Sequence, residues 1–505
     1  AMVYEGWSRD EAYQEDNKLD AITTTTLTAE PIKDVLKVSA DFTYKAIRSK
    51  KDRLSPTQTG YTTAGEPHEY NPNSYKSHWT YDTDYVASNI VATWTPKLGE
   101  NHNLNVVGGW NIEKTKYRNT YLQRRGILYP SLPSFELMDS SEYSVSDSGY
   151  DKSMVGVFGR INYTLLNRYI FEFAARYDGS SLFPTNQQWG FFPSASAAWR
   201  VSQEKFWNVS PMAVSNLKVR ASYGALGNSN VDPYTYLETF GLSTFGTGSG
   251  DAARYLFGQA KLRYTSLPGQ IPDNIGWETS KTFDVGLDAG FLNGRLNLTA
   301  DYYVRKTVDM YTVGPTLPDT FGATAPKGNY ADMSTYGYEI SLSYNDSFRL
   351  AGKPFNFGIK TTLADYYSVI DRYNNASRKL SDYYEGQRLG EIWGFVCNGL
   401  FQNQAEIDAA FGGKGYKNDI MQTSEKYITY PGDMRFEDLN GNDAIDRGSS
   451  TVDDPGDRKI IGNSEPRYIY TISLNADWNG FFLSALFDGV GRQQWFPSDE
   501  SLFWG

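Results

Sequence analysis

Apolar residues recur at every second position in one segment of this chain after another, and polar or charged residues fill the positions between them. Residues 36–44 are an example, with apolar side chains at Leu36, Val38, Ala40, Phe42 and Tyr44. The same alternation recurs near residues 217–223, 296–304, 336–344 and 468–478. A period of two predicts strands with one apolar and one polar face. We count about fourteen such segments of about ten residues each, the length that a tilted strand needs to cross a bilayer.

The connections between the predicted strands alternate in length. Short connections lie near residues 31–34, 96–102, 166–168, 202–216, 292–295, 346–354 and 478–480. Long, polar connections lie near residues 48–81, 115–152, 179–190, 226–280, 306–335 and 365–466. Asn-Gly at 293–294 and at 479–480 is typical of type I′ hairpin turns, and Leu166-Asn167 also joins two adjacent strands tightly. In an antiparallel sheet, this alternation places every long loop on the same side.

These patterns together predict an all-β fold, an antiparallel transmembrane β-barrel with short periplasmic turns and long extracellular loops. Aromatic residues lie near the short turns, where a membrane-interface girdle would sit, although strand ends in any β protein also collect aromatics. In the strand that begins at Leu296, we expect one face to meet lipid and the other to meet the lumen. The predicted lipid face comprises Leu296, Leu298, Ala300 and Val304, and the predicted lumenal face comprises Asn297, Thr299 and Asp301.

Composition narrows the possible functions. The chain has 505 residues and a mean hydropathy of -0.52, without the apolar run of ~20 residues that a transmembrane helix needs. A net charge of -11 argues against a nucleic-acid partner. The single cysteine, Cys397, excludes a disulfide framework, and we expect it to be a small buried residue. His68, His78 and His102 show no metal or triad spacing, so we expect no enzyme.

No linker-like tract interrupts the chain. We therefore expect a single partial barrel domain over residues 1–505, with residues 365–466 as a long extracellular loop region. Residues 1–20 are polar and lack the pattern of a signal peptide. The sequence thus predicts either a cytoplasmic protein or a piece of a longer precursor, and the period-two strands favour the precursor.

Six motifs give the chain a family resemblance. In chain order they lie at 160–183 (RINYTLLNRYIFEFAARYDGSSLF), 189–200 (WGFFPSASAAWR), 223–228 (YGALGN), 277–281 (WETSK), 385–390 (EGQRLG) with 399–401 (GLF), and 461–463 (IGN). With these motifs in the family's order, the chain resembles the SusC/RagA-like TonB-dependent outer-membrane transporters over nearly its whole length. The resemblance implies a barrel of about 22 strands around a plug, of which this chain carries about fourteen. We find no plug or TonB box. An open sheet of fourteen strands would leave two unpaired edges, which hydrocarbon does not tolerate, so we expect strands to be missing at both ends.

The resemblance also implies a function and partners. It implies active import of an oligosaccharide or a peptide across the Gram-negative outer membrane, driven by the TonB complex acting on the plug. A SusD-like surface lipoprotein would contact the loops near 226–280 and 365–466, and two such pairs would form a dimer. The alternative from the residues alone is a secreted all-β carbohydrate-binding or hydrolytic protein.

An acidic segment in the longest loop has the spacing of an EF-hand-like calcium site. Its oxygen-bearing residues are Asp438, Asn440, Asn442 and Asp446. We expect them to surround one structural Ca²⁺ together with the Ala444 carbonyl and, by the family pattern, Asp457. Asp443 stands where an EF-hand carries Gly, and Ser449 stands where it carries a bidentate acid. A solvated Asn/Asp-rich turn explains the same residues equally well.

Aromatic residues in the same loop are candidates for ligand binding. They are Tyr383, Tyr384, Trp393 and Phe395. Aromatic faces stack on sugar rings and bind peptides. The alternative is that these side chains pack the loop against itself, because a loop of this length needs a small core of its own.

Overall fold

The computed structural model describes residues 12–495 apart from 58, 62–64, 70–72, 130, 140–142, 245–255, 258–259, 262, 266–267, 273, 315–324 and 420–428. Within these residues, fourteen strands form one antiparallel sheet in which each strand pairs with its neighbours along the chain. They are β1 (Tyr13–Ile32), β2 (Leu36–Ser55), β3 (Tyr75–Trp94), β4 (His102–Arg125), β5 (Tyr143–Leu165), β6 (Tyr169–Ser180), β7 (Trp189–Arg200), β8 (Asn216–Asn228), β9 (Glu278–Phe291), β10 (Leu296–Val313), β11 (Lys327–Leu350), β12 (Lys353–Arg372), β13 (Arg467–Trp478) and β14 (Phe481–Arg492). This confirms the predicted all-β, antiparallel class.

The connections alternate between short and long, as the sequence predicts. β1–β2, β11–β12 and β13–β14 are joined by a few residues, whereas β12 and β13 are separated by residues 373–466. Asn479 and Gly480 both adopt positive φ, 46° and 89°, between the paired residues Trp478 and Phe481. Positive φ at both central positions is what a type I′ turn requires, and it matches the right-handed twist of the strands it joins.

The strands are longer than the predicted ten residues, because they continue beyond the apolar band. β6, β7, β13 and β14 have 12 residues each, whereas β4 and β11 have 24. The extra residues of β4 are polar, yet they remain paired with β5 as far as Arg124 and Tyr143. The change from apolar to polar residues marks the point where a strand leaves the hydrocarbon of the membrane. Backbone pairing with the neighbouring strand continues past that point.

The two faces of the sheet differ as predicted. On one face, Leu298 of β10 lies opposite Ala289 of β9 and Leu342 of β11, and on the other face Thr299 lies opposite Asp288 and Ser341. Large apolar side chains are exposed on the first face across the sheet, including Phe42, Ile90, Trp110, Val157, Phe173, Val285, Tyr302, Ile340 and Ile472. The first face therefore meets lipid and the second lines the lumen.

The long connections contain short strands and a helix. Pairs of short strands are Thr59–Tyr61 with Pro67–Glu69, Leu242–Thr244 with Arg263–Thr265, Leu256–Phe257 with Ala260–Lys261, Glu391–Phe395 with Arg458–Asn463, and Cys397–Leu400 with Met434–Phe436. Helix α1 spans Gln404–Gly413, and 3₁₀ turns span Phe135–Leu137, Val201–Gln203 and Leu292–Gly294. No helix in the described ranges is long and apolar enough to cross a membrane.

A small hydrophobic core lies beneath the long loops. It contains Leu182, Phe183, Val231 and Ile275, and Trp277 packs against it. The Trp277 ring lies 5.3 Å from Phe183, and its Nε1 donates to the carbonyl of residue 188 at 2.8 Å. This core fixes two loops against the end of the barrel wall.

The prediction for Cys397 is wrong. Cys397 is exposed, and its Sγ lies 3.2 Å from the Gly399 carbonyl oxygen. It begins a short strand that pairs only with Met434–Phe436, so no second layer covers its side chain. Cysteine is usually buried, and here the local sheet is too small to bury it.

The two faces can be compared by placing one arginine on each. We expect Leu298→Arg to cost about 2–4 kcal/mol of unfolding free energy, because the guanidinium would sit in hydrocarbon, and Thr299→Arg to cost about 0–1 kcal/mol. Denaturant titration of the full-length protein in vesicles measures both. Equal costs at the two neighbouring positions would show that β10 does not span a bilayer.

Candidate functional site

An ion network crosses the lumenal face of β8, β9 and β10. The Arg220 guanidinium donates to Asp301 at 2.7 Å and lies 3.4 Å from Asp288 and 3.6 Å from Asp284. Lys218 donates to Asp288 at 3.0 Å. Two cations thus face three carboxylates on a half-buried wall, and the register of the three strands brings them together.

Glycine makes this network sterically possible. Arg220 on β8 and Asp301 on β10 both lie opposite Gly286 on β9, the strand between them. A Cβ at Gly286 would collide with the Arg220 guanidinium and the Asp301 carboxylate. Arg220 therefore reaches its partner two strands away only because the intervening residue has no side chain.

A second lumenal surface lies near the short turns of β10–β14. It encloses a cavity of about 670 Å³ whose polar lining includes Asn345, Asn356, Asn475, Asp477 and Ser484. Asn356 donates to Asp477 at 2.9 Å, and Ser484 donates to Asn475 at 3.1 Å. The ion pair of Arg295 with Asp346 and the apolar Phe482 also border this cavity, so its lining is mixed. The amide and hydroxyl groups within it both donate and accept and can therefore bond neutral polar ligands.

An ion pair fixes the base of the connection formed by residues 373–466, called the long loop below. Arg467, the first residue of β13, binds Asp365 of β12 through two nitrogens at 2.5 and 2.6 Å. The Tyr367 ring centroid lies near two guanidinium groups, 4.4 Å from that of Arg388 and 5.9 Å from that of Arg467. Bidentate geometry and stacking together hold both ends of the loop on the rim of the barrel.

The motif at residues 385–390 stabilises the same base of the long loop. The Leu389 amide donates to the Ser368 carbonyl at 3.0 Å, and the Ser464 amide donates to the Gly390 carbonyl at 2.8 Å. Gly386 and Gly390 both have positive φ, 87° and 80°. This motif carries part of the family resemblance, and its hydrogen bonds connect β12 to the end of the long loop.

The long loop has its own core. Phe401, Ile407 and Ile445 are buried, and the Tyr416 ring packs 4.8 Å from Phe401. The Tyr416 hydroxyl accepts from the Phe436 amide at 2.9 Å. Burial raises the pKa of Tyr416 to about 12. The loop is therefore a folded unit with its own packing.

The structure separates the four aromatic candidates for ligand binding. Tyr384 is 5% exposed, and its hydroxyl donates to Glu391 at 2.6 Å and accepts from Trp393 Nε1 at 3.2 Å. Burial raises the pKa of Tyr384 to about 12, and the hydrogen bond to Glu391 adds to that rise. Phe395 packs 5.7 Å from the ring of residue 436. Tyr383 is 48% exposed, so it is the member of the set best placed to meet a ligand.

The residues predicted to hold calcium lie in one tightly bonded turn. Asp438 accepts backbone N–H groups from residues 441, 442 and 443, and Asp457, which is fully buried, accepts from residues 439, 440 and 446. Asn442 donates to Asp446 at 2.7 Å. In the described part of the chain, no three Asp, Glu, His or Cys side chains form a metal-binding group. The turn closes through its own hydrogen bonds, and the calcium site stays a prediction.

Two features of the site were not predicted from the sequence. The lumenal network around Arg220 consists of ordinary alternating polar positions, and only the register reveals that they meet. Helix α1 does have a signal in the sequence, because Asn403 caps it by accepting from the Glu406 amide at 3.0 Å. Asn followed three residues later by Glu is the spacing of a capping box.

Comparisons with known proteins agree with this architecture. A family model described as TonB dependent receptor-like, beta-barrel matches residues 3–500. TonB-dependent receptor P3 of Formosa agariphila is 29% identical over 421 residues, which cover 80% of this chain and 38% of the relative. TonB-dependent receptor SusC of Bacteroides thetaiotaomicron is 29% identical over 442 residues, which cover 83% of this chain and 40% of the relative. The chain spans about two fifths of the length of these relatives.

Solved structures show the same fold. A chain of the RagAB peptide transporter superposes with a TM-score of 0.73 at 18% identity, covering 95% of this chain and 48% of that chain. The RagAB peptide importer in its open-open state gives a TM-score of 0.71 at 18% identity, with 95% and 47% covered. At this identity the likeness concerns the fold.

The role of Tyr384 in the long loop can be tested with its neighbour as control. Tyr384→Phe removes the hydroxyl that joins Glu391 to Trp393, and we expect local opening of the loop to become easier by about 1–3 kcal/mol. Tyr383→Phe, one residue away and exposed, should change it by less than about 0.5 kcal/mol. Hydrogen exchange of residues 373–466 in the full-length protein measures both. Equal effects would contradict the packing role of Tyr384.

Proposed function

The chain belongs to the TonB-dependent receptor-like β-barrel family of the outer membrane, and from that premise we propose that it forms much of the wall and outer loops of a nutrient importer. The cargo we propose is an oligosaccharide, with a peptide as the second candidate. Members of this family are transporters and not enzymes. The protein is an outer-membrane β-barrel protein, which confirms the predicted location.

The observation that carries the proposal is the contrast between the two faces of the sheet. The outer face presents apolar side chains, while the inner face carries the Arg220 network and the Asn/Ser wall around the 670 Å³ cavity. Polar and charged groups on the inner face of a sheet whose outer face is apolar are the arrangement of a pathway for polar solutes. The neutral amide and hydroxyl groups favour a cargo rich in hydroxyl or amide groups, which describes both oligosaccharides and peptides.

Features of the long loops favour a partner protein that covers the end of the barrel. Exposed apolar side chains lie on both loops that the sequence points to, at Phe240 and Leu242 in one and at Leu400 and Tyr430 in the other. Apolar residues exposed at the end of a barrel indicate a protein contact. We propose a SusD-like surface lipoprotein at this position, with the TonB complex supplying energy through a plug. A dimer of two such pairs is part of the same proposal.

The alternative of a secreted all-β binding or hydrolytic protein has less support. RagAB, a structural neighbour with the same fold, is a peptide transporter. A soluble β protein would bury the side chains that this sheet exposes on its outer face, since each exposed apolar side chain forfeits the free energy of burial.

Calcium in the acidic turn stays a proposal. The support is the spacing of oxygen ligands, since Asp438, Asn442 and Asp446 lie within one hydrogen-bonded turn. Asp438 Oδ2 accepts one N–H group, from Asp443, and therefore retains a second lone pair for a cation. The ion would be structural, because it would hold the long loop and lies outside the lumenal wall.

The import proposal predicts a growth phenotype. Cells that lack the gene for the full-length protein should fail to grow on the oligomeric cargo and should grow normally on its monomer, which needs no active transporter. Growth on a panel of oligosaccharides and peptides as sole carbon source identifies the cargo class. Normal growth of the mutant on every oligomer would contradict the proposal.

A matched pair of variants controls for folding and tests the partner. Leu242→Glu should lower the amount of lipoprotein that copurifies and reduce growth on the oligomer, because it places a charge at the proposed contact. Leu98→Glu makes the same change at an exposed leucine in the short connection between β3 and β4, at the opposite end of the sheet, and should have neither effect. Copurification that is unchanged by Leu242→Glu would remove this contact from the proposal.

The calcium proposal predicts one bound ion per chain. Affinity should be weak, with a Kd of about 10⁻⁴–10⁻³ M as in extracellular calcium modules. Asp438→Asn should abolish binding in calorimetry of the full-length protein, and Asp408→Asn, on helix α1 of the same loop, should leave it intact. If no stoichiometric binding is measured at millimolar calcium, the calcium proposal is wrong and these residues form a solvated Asn/Asp-rich turn.

A further inference from the structure

The wall of the barrel changes height where β5 meets β6. β4 and β5 pair without a break as far as Arg124 and Tyr143, whereas β6 ends at Ser180, which pairs with Met154 of β5. Residues 143–153 of β5 therefore continue past β6 and pair with a strand on the β4 side only. We call the free side of residues 143–153 the β5 edge.

The β5 edge lies outside the hydrocarbon of the membrane. The apolar outward positions of β5 that face lipid end at Val155, and Ser153 and Asp151 follow on the same face. Residues 143–149 lie six to twelve positions further along the strand, which is roughly 20–40 Å at ordinary strand rise. Hydrocarbon would not tolerate unpaired backbone groups, but water can solvate them until a partner binds.

The alternation of the backbone identifies the groups that the β5 edge presents. In a strand, the N–H and C=O groups of successive residues point to opposite sides. The Ser153 amide donates to the Ser181 hydroxyl at 2.8 Å, and the Ser153 carbonyl accepts from the Ser181 amide at 3.0 Å. The Asp151 amide donates to the Tyr234 hydroxyl at 2.9 Å. Odd-numbered residues therefore point to the β5 edge, and since the pairing with β4 has no bulge, residues 149, 147, 145 and 143 do so as well.

These four residues have open backbone groups. Within the described ranges, no hydrogen bond joins their N–H or C=O groups to another segment on the β5 edge. Residues 143–149 are exposed throughout, with Tyr143 71% and Val145 63% exposed. The edge thus presents a row of donors and acceptors, which is the template for pairing with another strand.

A comparable step elsewhere in the barrel is covered by the chain itself. β12 continues past β13, because Ala364 is the last residue of β12 that pairs with β13. There the motif at residues 385–390 takes the place of a strand, since Ile370 donates to the Gln387 carbonyl at 3.0 Å and accepts from the Gly386 amide at 2.8 Å. An extended segment is therefore what fills such a step in this fold, and the described chain supplies none for the β5 edge.

The surroundings of the β5 edge favour a partner protein over cargo as the source of that segment. Tyr234, which bonds to the lower end of the edge, belongs to the loop that also exposes Phe240 and Leu242. The edge is thus continuous with the surface that we assign to the lipoprotein. The exposed side chains of Tyr143 and Val145 point outward, away from the lumen through which cargo passes.

Asp147 sets a charge requirement for the partner. It is exposed on the outward side of the edge, and it forms no ion pair within 4.0 Å among the described residues. Arg118 on the adjacent strand pairs with Asp151 instead, at 2.8 Å. Opposite charges on facing strands stabilise their pairing, so a strand that binds here should place a lysine or an arginine opposite Asp147.

We propose that an extended segment of the surface lipoprotein adds to the β5 edge as a further strand of the sheet. The inference rests on the lipoprotein partner proposed above. Main-chain hydrogen bonds to residues 143, 145, 147 and 149 would provide affinity, and alternate side chains would provide specificity. The segment would carry apolar side chains opposite Tyr143 and Val145 and a cation opposite Asp147.

Hydrogen exchange resolved to single amides tests for the added strand. The full-length protein is measured with the copurifying lipoprotein and again after its removal. We expect the amides of Val145, Asp147 and Gly149 to exchange at least about tenfold more slowly in the complex, because they become hydrogen-bonded. The amides of Ser146 and Ser148 point to β4 and should exchange slowly in both states. Equal exchange of the odd-numbered amides in the two states would overturn the inference.

Variants at two positions of the edge test the same contact by binding. Val145→Pro removes an open N–H group without removing a bond within the sheet, and we expect about tenfold weaker binding of the lipoprotein. Val145→Thr keeps the N–H group and the β-branched shape and should bind as wild type does. Asp147→Lys leaves the backbone intact and should also weaken binding, whereas Glu100→Lys, in the short connection between β3 and β4, should not.

The outcomes separate this inference from the proposal on which it rests. Weaker binding in Leu242→Glu, with wild-type binding in both Val145→Pro and Asp147→Lys, would overturn strand addition and leave the lipoprotein partner in place. A wild-type protein that copurifies with no lipoprotein would overturn both. Slow exchange of the odd-numbered amides without the lipoprotein would assign the edge to the chain itself or to a second copy. Protection by a peptide of the cargo panel would assign it to cargo, and either result would overturn the inference. Thermal melting of each variant verifies the fold.

Discussion

In hydrocarbon, every backbone N–H and C=O group must find its partner inside the protein, and the rest of this structure depends on that constraint. It explains why each strand pairs with its neighbours in sequence without a crossover, and why the pairing of β4 with β5 is unbroken through the apolar band. Once pairing is continuous, side chains must alternate between lipid and lumen. Chemistry is then confined to the inward positions and to the loops.

The inward positions satisfy a second constraint, which is that charges facing the lumen need partners within reach. Arg220 meets Asp284 and Asp288 on the adjacent β9, and it reaches Asp301 on β10 because Gly286 leaves room for it to cross β9. The same device recurs at Gly156, which lies opposite Asn111 and Asp178 while Arg176 bonds to both of them. Lumenal glycines in this barrel thus allow long cations to bridge strands.

Features that repeat along the chain could be predicted from the sequence, whereas features that occur once could not. Alternation predicts the two faces around Leu298 and Thr299, and Asn-Gly predicts the turn at 479–480, because local physics decides both. The buried position of Tyr384 and the exposure of Cys397 depend on how the long loop folds on itself, which has no period. The Arg220 network needs the register of three strands, since no single strand shows that its charges meet.

The long loop shows how a connection of this length keeps a fixed place at the barrel mouth. Asp365 and Arg467 hold its two ends on adjacent strands, and Phe401 and Ile445 give it a core of its own. A loop built in this way presents a rigid surface, which lowers the conformational entropy lost when a ligand or a partner binds. Tyr384 and Trp393 are used for that internal packing, whereas Tyr383 remains exposed at the surface of the loop. Specificity can then change at the surface without loss of the base that holds the loop.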